Sequence, residues 1–290
     1  MTFLTDPWAW WVEPFLDNPF MRNALLAGLL AALATSVVGS WVVLRGLAFL
    51  GDALAHGVLP GIALAFVLGV DTIIGALVAA LLMVGGINLI RNHSPLPDDT
   101  SIGILFVGFL ALAVVIMSSQ LGSYTGDLNR FLFGSVTSVS GAGLRRQAIA
   151  AAIVLGGVIV FYRAFLVMTF DEVQARMLGF RPRLANFGLL VLLAIAIIAS
   201  FETVGSLLVF AFLVAPPAAA SLVVRRVPWL MVTAAGFGMA SALIGILVSF
   251  HYRAAAGASM ALTSVVVFFV VLAGSVLVKA LQNGRDPATT

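Results

Sequence analysis

Long runs of apolar residues, separated by short polar or charged stretches, dominate the chain. Arg45, Arg91, Arg163, Arg225 and Arg226 interrupt these runs. Each run is close to the roughly 20 residues that a helix needs to cross a bilayer, and none shows the alternating ten-residue pattern of a membrane barrel. The pattern therefore predicts about nine membrane-spanning helices. They cover residues 22–44, 50–68, 73–90, 101–119, 145–163, 184–200, 203–224, 229–249 and 258–279.

The composition favours an all-α integral membrane protein. Charged residues make up 9% of the 290-residue chain and hydrophobic residues 62%, whereas soluble domains carry about 25% charged residues. The absence of cysteine excludes disulfides and thiolate metal ligands. We expect one transmembrane domain over residues 22–280. An interfacial, extracytoplasmic segment (1–21) would precede it, and a cytoplasmic tail (281–290) would follow.

The basic residues favour one orientation in the membrane. If the C-terminus is cytoplasmic, an odd number of spans places the N-terminus outside. Most of the basic residues then lie on the cytoplasmic side, in agreement with the positive-inside rule. The formal charge of +3 is therefore a signal of topology rather than of nucleic-acid binding. The basic residues left outside are Arg22, Arg130, Arg145, Arg146 and Arg253.

Two longer segments are too polar to cross the membrane. Residues 124–143 are rich in serine and glycine, and we expect a short surface helix on the outer face. Residues 170–183 carry five charges between two strong spans. Their acidic start and later arginine indicate a short amphipathic helix in a cytoplasmic loop, although an ordinary surface loop would also fit.

Two ionisable side chains lie inside the second predicted span. Asp52 and His56 are four residues apart, so on a helix they share one face, about 6 Å apart along the axis. A charged side chain at mid-membrane costs about 2.5–3.5 kcal/mol and usually faces a partner, a cavity or an ion. Carboxylate and imidazole together form half of a site for a divalent metal. The alternative is a capping aspartate beside a histidine satisfied within the core.

Prolines in two spans are expected to release backbone carbonyls. Pro60 removes the donor for the carbonyl of His56, which could then join a metal site. Pro216 and Pro217 do the same for the carbonyls of Phe212 and Leu213. They predict either a hinge or pore-lining kink, or close helix packing through the small residues that follow.

Glu202 and His251 are weaker candidates for a metal path. Glu202 could attract cations at an outer mouth, or it could simply face water at the membrane interface. His251, near the outer ends of the last two spans, could meet an incoming metal or a binding protein, or it could be solvated.

Several kinds of enzyme are excluded by missing motifs. No G-x-x-x-x-G-K-[ST] motif occurs, and the single lysine is Lys279, so the chain cannot hydrolyse ATP through a P-loop. Zinc-protease and nucleophile-elbow motifs are absent as well. An intramembrane hydrolase built on Asp52 and His56 would lack a second catalytic acid. Two interpretations therefore stay open. The chain is either a transport subunit that is driven by a separate ATPase, or a stand-alone carrier or channel for divalent cations.

Five stretches, in order, resemble the permease subunit of ATP-binding-cassette importers for zinc, manganese and iron. The resemblance covers roughly residues 20–280 and rests most strongly on VLRGLAFLGDALAHGVLPGIALAFVLG. The five stretches are residues 43–69, 98–119, 127–140, 170–180 and 204–222. It implies an importer permease fold of the metal-uptake type in the cell membrane of a prokaryote. Relatives more often have an uncharged residue at this position in SFETVG, so Glu202 is a departure from the family pattern.

The resemblance also implies partners and roles. It implies a homodimer with the metal path between the protomers, two copies of a separate ATPase and an extracytoplasmic metal-binding lipoprotein. Asp52 and His56 correspond to the metal-contacting pair of the family. The metal (manganese or zinc, with iron as a further candidate) is cargo rather than a permanently bound cofactor. The segment that couples the permease to the ATPase includes Phe170, Asp171, Glu172, Arg176, Leu178 and Gly179.

Overall fold

The described part of the chain is helical. The computed structural model describes residues 7–118 and 139–283, and those residues form helices joined by short turns, with no strands among them. Their bounds are α1 Pro7–Trp11, α2 Glu13–Asp17, α3 Pro19–Leu44, α4 Ala48–Gly57, α5 Leu59–Leu68, α6 Thr72–His93, α7 Asp98–Ser118, α8 Gly141–Phe170, α9 Glu172–Met177, α10 Pro182–Val204, α11 Ser206–Val223, α12 Val227–Tyr252 and α13 Ala256–Asn283.

The predicted number of membrane spans is confirmed. Within the described residues, 9 segments are long and apolar enough to cross a membrane, and α4 and α5 together make up one of them. The short helix predicted within 170–183 is present as α9. Of the predicted surface helix at 124–143, residues up to 138 lie outside the described part, and Gly141 already belongs to α8.

Helix α3 lies at the centre of the molecule, where it packs against α8, α10, α11 and α12. Its small residues let these neighbours approach closely. Two of its buried hydroxyls bond to carbonyls of the previous turn of the same helix, at 2.7 Å from Thr35 Oγ1 to Ala31 O and at 2.8 Å from Ser40 Oγ to Ser36 O. These bonds satisfy polar side chains that have no access to water.

The two prolines of α11 free two backbone carbonyls, and both carbonyls face α3. Pro216 and Pro217 both lie inside the continuous helix α11. Ser36 Oγ donates to the freed carbonyl of Phe212 at 3.1 Å. Gly39 packs directly onto the freed carbonyl of Leu213, leaving no room there for a Cβ. Helix α3 therefore supplies a hydrogen bond to one freed carbonyl and covers the other, which belongs to the fully buried Leu213.

The second span is interrupted next to Pro60, whose missing N–H was expected to free the carbonyl of His56. Helix α4 ends at Gly57, Val58 forms the turn, and Pro60 is the second residue of α5. The backbone of α4 is held tightly on two sides. Gly51 rests on the side chain of Leu213 in α11, and Gly57 rests on Met83 in α6. Helix α4 is thus fixed against the two layers that flank it.

We expect Gly39→Ala to destabilise the protein by about 1–3 kcal/mol, the usual effect of overpacking. The added Cβ would collide with the backbone at Leu213, which cannot rotate away as a side chain could. The measurement is the thermal unfolding midpoint of the purified protein in detergent. Gly236→Ala in α12 is the control, because a Cβ there meets open space, and it should leave the midpoint unchanged or slightly raised. Equal midpoints for the two variants would contradict this packing.

Candidate metal site

Helix α4 divides into a buried face and a narrow, partly exposed stripe. The buried face is made of Leu50, Gly51, Ala53, Leu54, Ala55 and Gly57. The stripe contains Phe49, Asp52 and His56, whose spacing of three and four residues places them on one side of the helix. In the single chain the side chain of Asp52 is 31% exposed and that of His56 is 24% exposed. Both are therefore accessible from the side of the bundle.

The imidazole of His56 is held by its own helix. Its Nδ1 lies 3.1 Å from the backbone carbonyl oxygen of Asp52 and 3.4 Å from Asp52 Oδ1. A carbonyl can only accept a hydrogen bond, so Nδ1 carries the hydrogen and donates it. In the neutral ring this leaves the lone pair of Nε2 for another partner. This is the arrangement in which histidine ligates metals, with the second nitrogen bonded to a carbonyl.

The neighbouring acid, rather than the ring orientation, distinguishes His56. All 3 histidines of the chain direct Nδ1 to the carbonyl four residues earlier: His93 to Leu89 at 3.0 Å and His251 to Leu247 at 2.9 Å. Among the described residues only His56 has a carboxylate beside it within ion-pair distance. The pair therefore has a chemistry that the other two histidines do not share.

An aromatic wall closes one side of the pair. Phe106 of α7 is edge-on to the His56 ring, with centroids 5.9 Å apart, and also to Phe49, with centroids 5.8 Å apart. Such edge contacts stabilise ring orientation by about 0.5–1.5 kcal/mol. Sequence reasoning missed both phenylalanines. The spacing of Phe49 from Asp52 was readable from the helix period, whereas Phe106 comes from another helix and leaves no local signal.

The donor set of one chain is incomplete for a metal. Asp52 and His56 supply oxygen and nitrogen, a set that suits manganese, iron or zinc, but such ions take at least four ligands. The part of the chain that the structure describes holds no group of three or more histidines and acids that could bind an ion. The carbonyl of His56 is not wholly free either, because the N–H of Val58 points at it.

Of the other two predicted path residues, His251 is the one whose side chain the structure describes, and it does not join the pair. His251 lies in the last turn of α12, with its ring stacked on Trp10 of α1 at a centroid distance of 4.4 Å. Glu202 lies in the last turn of α10, and its side chain is outside what the structure describes. Trp10 thus covers one face of His251.

The segment predicted to couple to an ATPase has a compact structure and an exposed apolar surface. Asp171 caps α9, its Oδ1 accepting from the backbone N–H of Gln174 at 2.8 Å. Phe170 is 66% exposed, Met177 83% and Leu178 60%. Arg176 is exposed as well, Glu172 is the first residue of the helix, and Gly179 follows in the left-handed conformation. Large exposed apolar side chains grouped at the end of α8 and along α9 are typical of a surface that contacts a protein or a membrane.

The sequence and the fold are similar to those of known transport proteins. Residues 17–275 match the ABC 3 transport family. The manganese transport system membrane protein MntC of Listeria monocytogenes is 34% identical over 259 residues, covering 89% of this chain and 92% of that protein. The probable iron transport system membrane protein of Haemophilus influenzae is 34% identical over 266 residues, covering 92% and 97%. The solved structure of PsaBC from Streptococcus pneumoniae in complex with Fab superposes with a TM-score of 0.81 at 30% identity, covering 90% of this chain and 94% of that one.

We expect Phe106→Ala to weaken Mn²⁺ binding at Asp52 and His56 by roughly two- to tenfold, the equivalent of one lost aromatic edge contact. Without the wall the imidazole has to be ordered when the ion binds. Titration of the purified protein with Mn²⁺, followed by electron paramagnetic resonance, measures the affinity. Phe109→Ala, one turn further along α7 and part-buried, is the matched control and should leave the affinity unchanged. An equal loss in both variants would show that the wall has no specific role.

Proposed function

The chain belongs to the ABC 3 transport family, and from this premise we propose that it is the membrane-spanning subunit of an ATP-driven importer for a divalent transition metal. As a member of a transport family it is a transport subunit rather than an enzyme. Relatives named for manganese and for iron make these two metals the first candidates. Zinc also suits the oxygen and nitrogen donors. The ion is cargo and not a resident cofactor.

The pairing of Asp52 with His56 in a partly exposed stripe of one span carries the proposal. A carboxylate inside a membrane span is retained only where a partner, a cavity or an ion compensates for the lost hydration. Here the described partner is one imidazole at 3.4 Å, and its Nε2 stays available under the tautomer that the Asp52 carbonyl selects. A divalent cation satisfies both groups at once.

A homodimer completes the site. Two copies related by a two-fold axis would bring two α4 stripes together and double the donors to two carboxylates and two imidazoles, since a two-fold interface pairs each patch with itself. The partial exposure of Asp52 and His56 in a single chain supports this arrangement, because charge facing lipid is unfavourable. A site shared by two protomers opens when they separate, which suits an ion that has to be released.

ATP hydrolysis is supplied by a separate ATPase, two copies of which bind on the cytoplasmic face. The chain contains no P-loop motif, so the energy has to arrive through contact. The exposed apolar side chains of α9 and its flanks, among them Phe170 and Met177, form a surface that such a subunit would cover. An extracytoplasmic binding protein delivers the metal on the opposite face.

Import proceeds by alternating access. Closure of the ATPase dimer moves α9, the permease pair rocks about its interface, and the site between the two α4 helices faces one side of the membrane at a time. The protein lies in the plasma membrane with its N-terminus outside and its C-terminus in the cytoplasm, the orientation that the basic residues favour. Glu202 and His251 would lie towards the outer side, along the approach of the ion.

The test is the metal content of metal-starved cells that express the permease with its candidate ATPase and binding protein, measured by elemental mass spectrometry. Wild type is compared with Asp52→Ala, His56→Ala and a hydrolysis-deficient ATPase. The matched control is His93→Ala, which removes an exposed histidine with the same contact to its own helix. We expect one metal to rise severalfold in wild type and in His93→Ala, and to stay at background in the other three.

Each of the other possible outcomes would contradict a different part of the proposal. Uptake that survives the hydrolysis-deficient ATPase would identify a stand-alone carrier. Uptake that survives both Asp52→Ala and His56→Ala would remove the pair from the path. Cells that gain no metal with wild type would contradict the assignment of a metal cargo.

A further inference from the structure

We propose that the hydrogen bond between Arg45 and Asn186 transmits the movement of α9 to α4, so that these two residues position the metal-bearing helix in response to the ATPase. The inference rests on the proposed function, because it assumes that α9 receives the ATPase. It adds a specific mechanical connection between α9 and the helix that carries Asp52 and His56.

The corner between α9 and α10 is stiff. The N–H of Gly179 bonds to the carbonyl of Arg176 at 3.1 Å, and the N–H of Phe180 bonds to the carbonyl of Ala175 at 3.0 Å. Gly179 has φ +80°, which an L residue with a side chain rarely adopts. These two bonds form a Schellman motif, and α10 starts immediately afterwards at Pro182. A displacement of α9 therefore passes directly to the first turns of α10.

The corner between α3 and α4 has the same construction. The N–H of Gly46 bonds to the carbonyl of Val43 at 3.0 Å, and the N–H of Leu47 bonds to the carbonyl of Val42 at 3.0 Å. Gly46 is again left-handed, with φ +68°, so this corner is a second Schellman motif. Helix α4 begins at Ala48. A displacement of this corner therefore moves the first turn of α4.

A side-chain hydrogen bond joins the two corners. The guanidinium of Arg45 donates from Nη1 to Asn186 Oδ1 at 2.6 Å, across 141 positions of sequence. Asn186 lies one turn into α10 and is only 5% exposed. A short bond from a cation to a nearly buried amide is stronger and more directional than a bond between neutral groups.

The apolar contacts between α4 and α10 constrain the two helices differently from this hydrogen bond. Helix α10 also packs against α4 directly, but packed helices can slide past one another by small amounts, as in shear motions. The Arg45–Asn186 bond fixes one distance between the corners instead. When α10 is displaced, this bond pulls the start of α4 with it, and with α4 the stripe that contains Asp52 and His56.

The experiment measures the number of metal ions imported per ATP hydrolysed in proteoliposomes that contain the permease, its ATPase and its binding protein, with Mn²⁺ as the probe. We expect Asn186→Leu to lower this ratio by roughly tenfold, the order expected for a lost charge-assisted hydrogen bond, while hydrolysis continues. Asn186→Asp keeps an acceptor oxygen for Arg45 and should retain the wild-type ratio. A merely structural role would predict no such rescue of the ratio.

Two further variants make the test decisive. Arg45→Met removes the donor from the other side and should lower the ratio as Asn186→Leu does, and the double variant should be no worse than the more damaging single variant. Gln147→Leu is the matched control. It deletes a buried amide that bonds the Ala27 carbonyl of α3 at 3.0 Å from α8, and it should leave the ratio unchanged even where it lowers stability.

The outcomes separate this inference from the function on which it rests. A wild-type ratio in Asn186→Leu or in Arg45→Met, or an equal fall in Gln147→Leu, would overturn the coupling role while the importer assignment stands. Wild-type proteoliposomes that take up none of Mn²⁺, Fe²⁺ and Zn²⁺ when ATP is supplied would overturn the proposed function and, with it, the inference.

Discussion

The structure depends on one constraint, that polar groups within the membrane must find partners inside the protein. Each unpaired backbone group in hydrocarbon costs several kcal/mol. The two prolines of α11 free two such carbonyls. The hydroxyl of Ser36 in α3 bonds to that of Phe212, and Gly39 of α3 packs against that of Leu213. This fixes α11 against α3, and Leu213 of α11 in turn seats α4 at Gly51. The helix that carries the candidate site is therefore packed on α11, the helix whose freed carbonyls face α3.

Asp52 and His56 depart from this constraint, and the proposed function explains why. They are partly exposed on the side of the bundle, and among the described residues each is the ion-pair partner of the other. A set of two donors is too small to retain a divalent ion permanently, and in a transporter that is an advantage, because the ion must leave. The aromatic edge of Phe106 keeps the imidazole in place without adding a ligand. Completion by a second copy would make binding depend on how the two copies are arranged.

The sequence predicted what depends on local pattern. Apolar run lengths gave the spans, helix periodicity gave the Asp52–His56 face, and the missing N–H of proline identified carbonyls that needed partners. It could not supply those partners, because they come from distant parts of the chain: 176 positions separate Ser36 from Phe212, and 141 separate Arg45 from Asn186. Such pairs follow from how the helices pack, which hydrophobic pattern alone does not specify when nearly every face is apolar.

The central claim is that Asp52 and His56 bind the transported ion. The most direct measurement is electron–nuclear double resonance of Mn²⁺ bound to the reconstituted complex. For this experiment the histidines of this chain alone carry ¹⁵N. The chain has 3 histidines, so an observed coupling can be assigned by substitution. The account predicts a ¹⁵N coupling to Mn²⁺ that disappears in His56→Ala and persists in His251→Ala. Bound Mn²⁺ with no nitrogen coupling, or a coupling that survives His56→Ala, would contradict it.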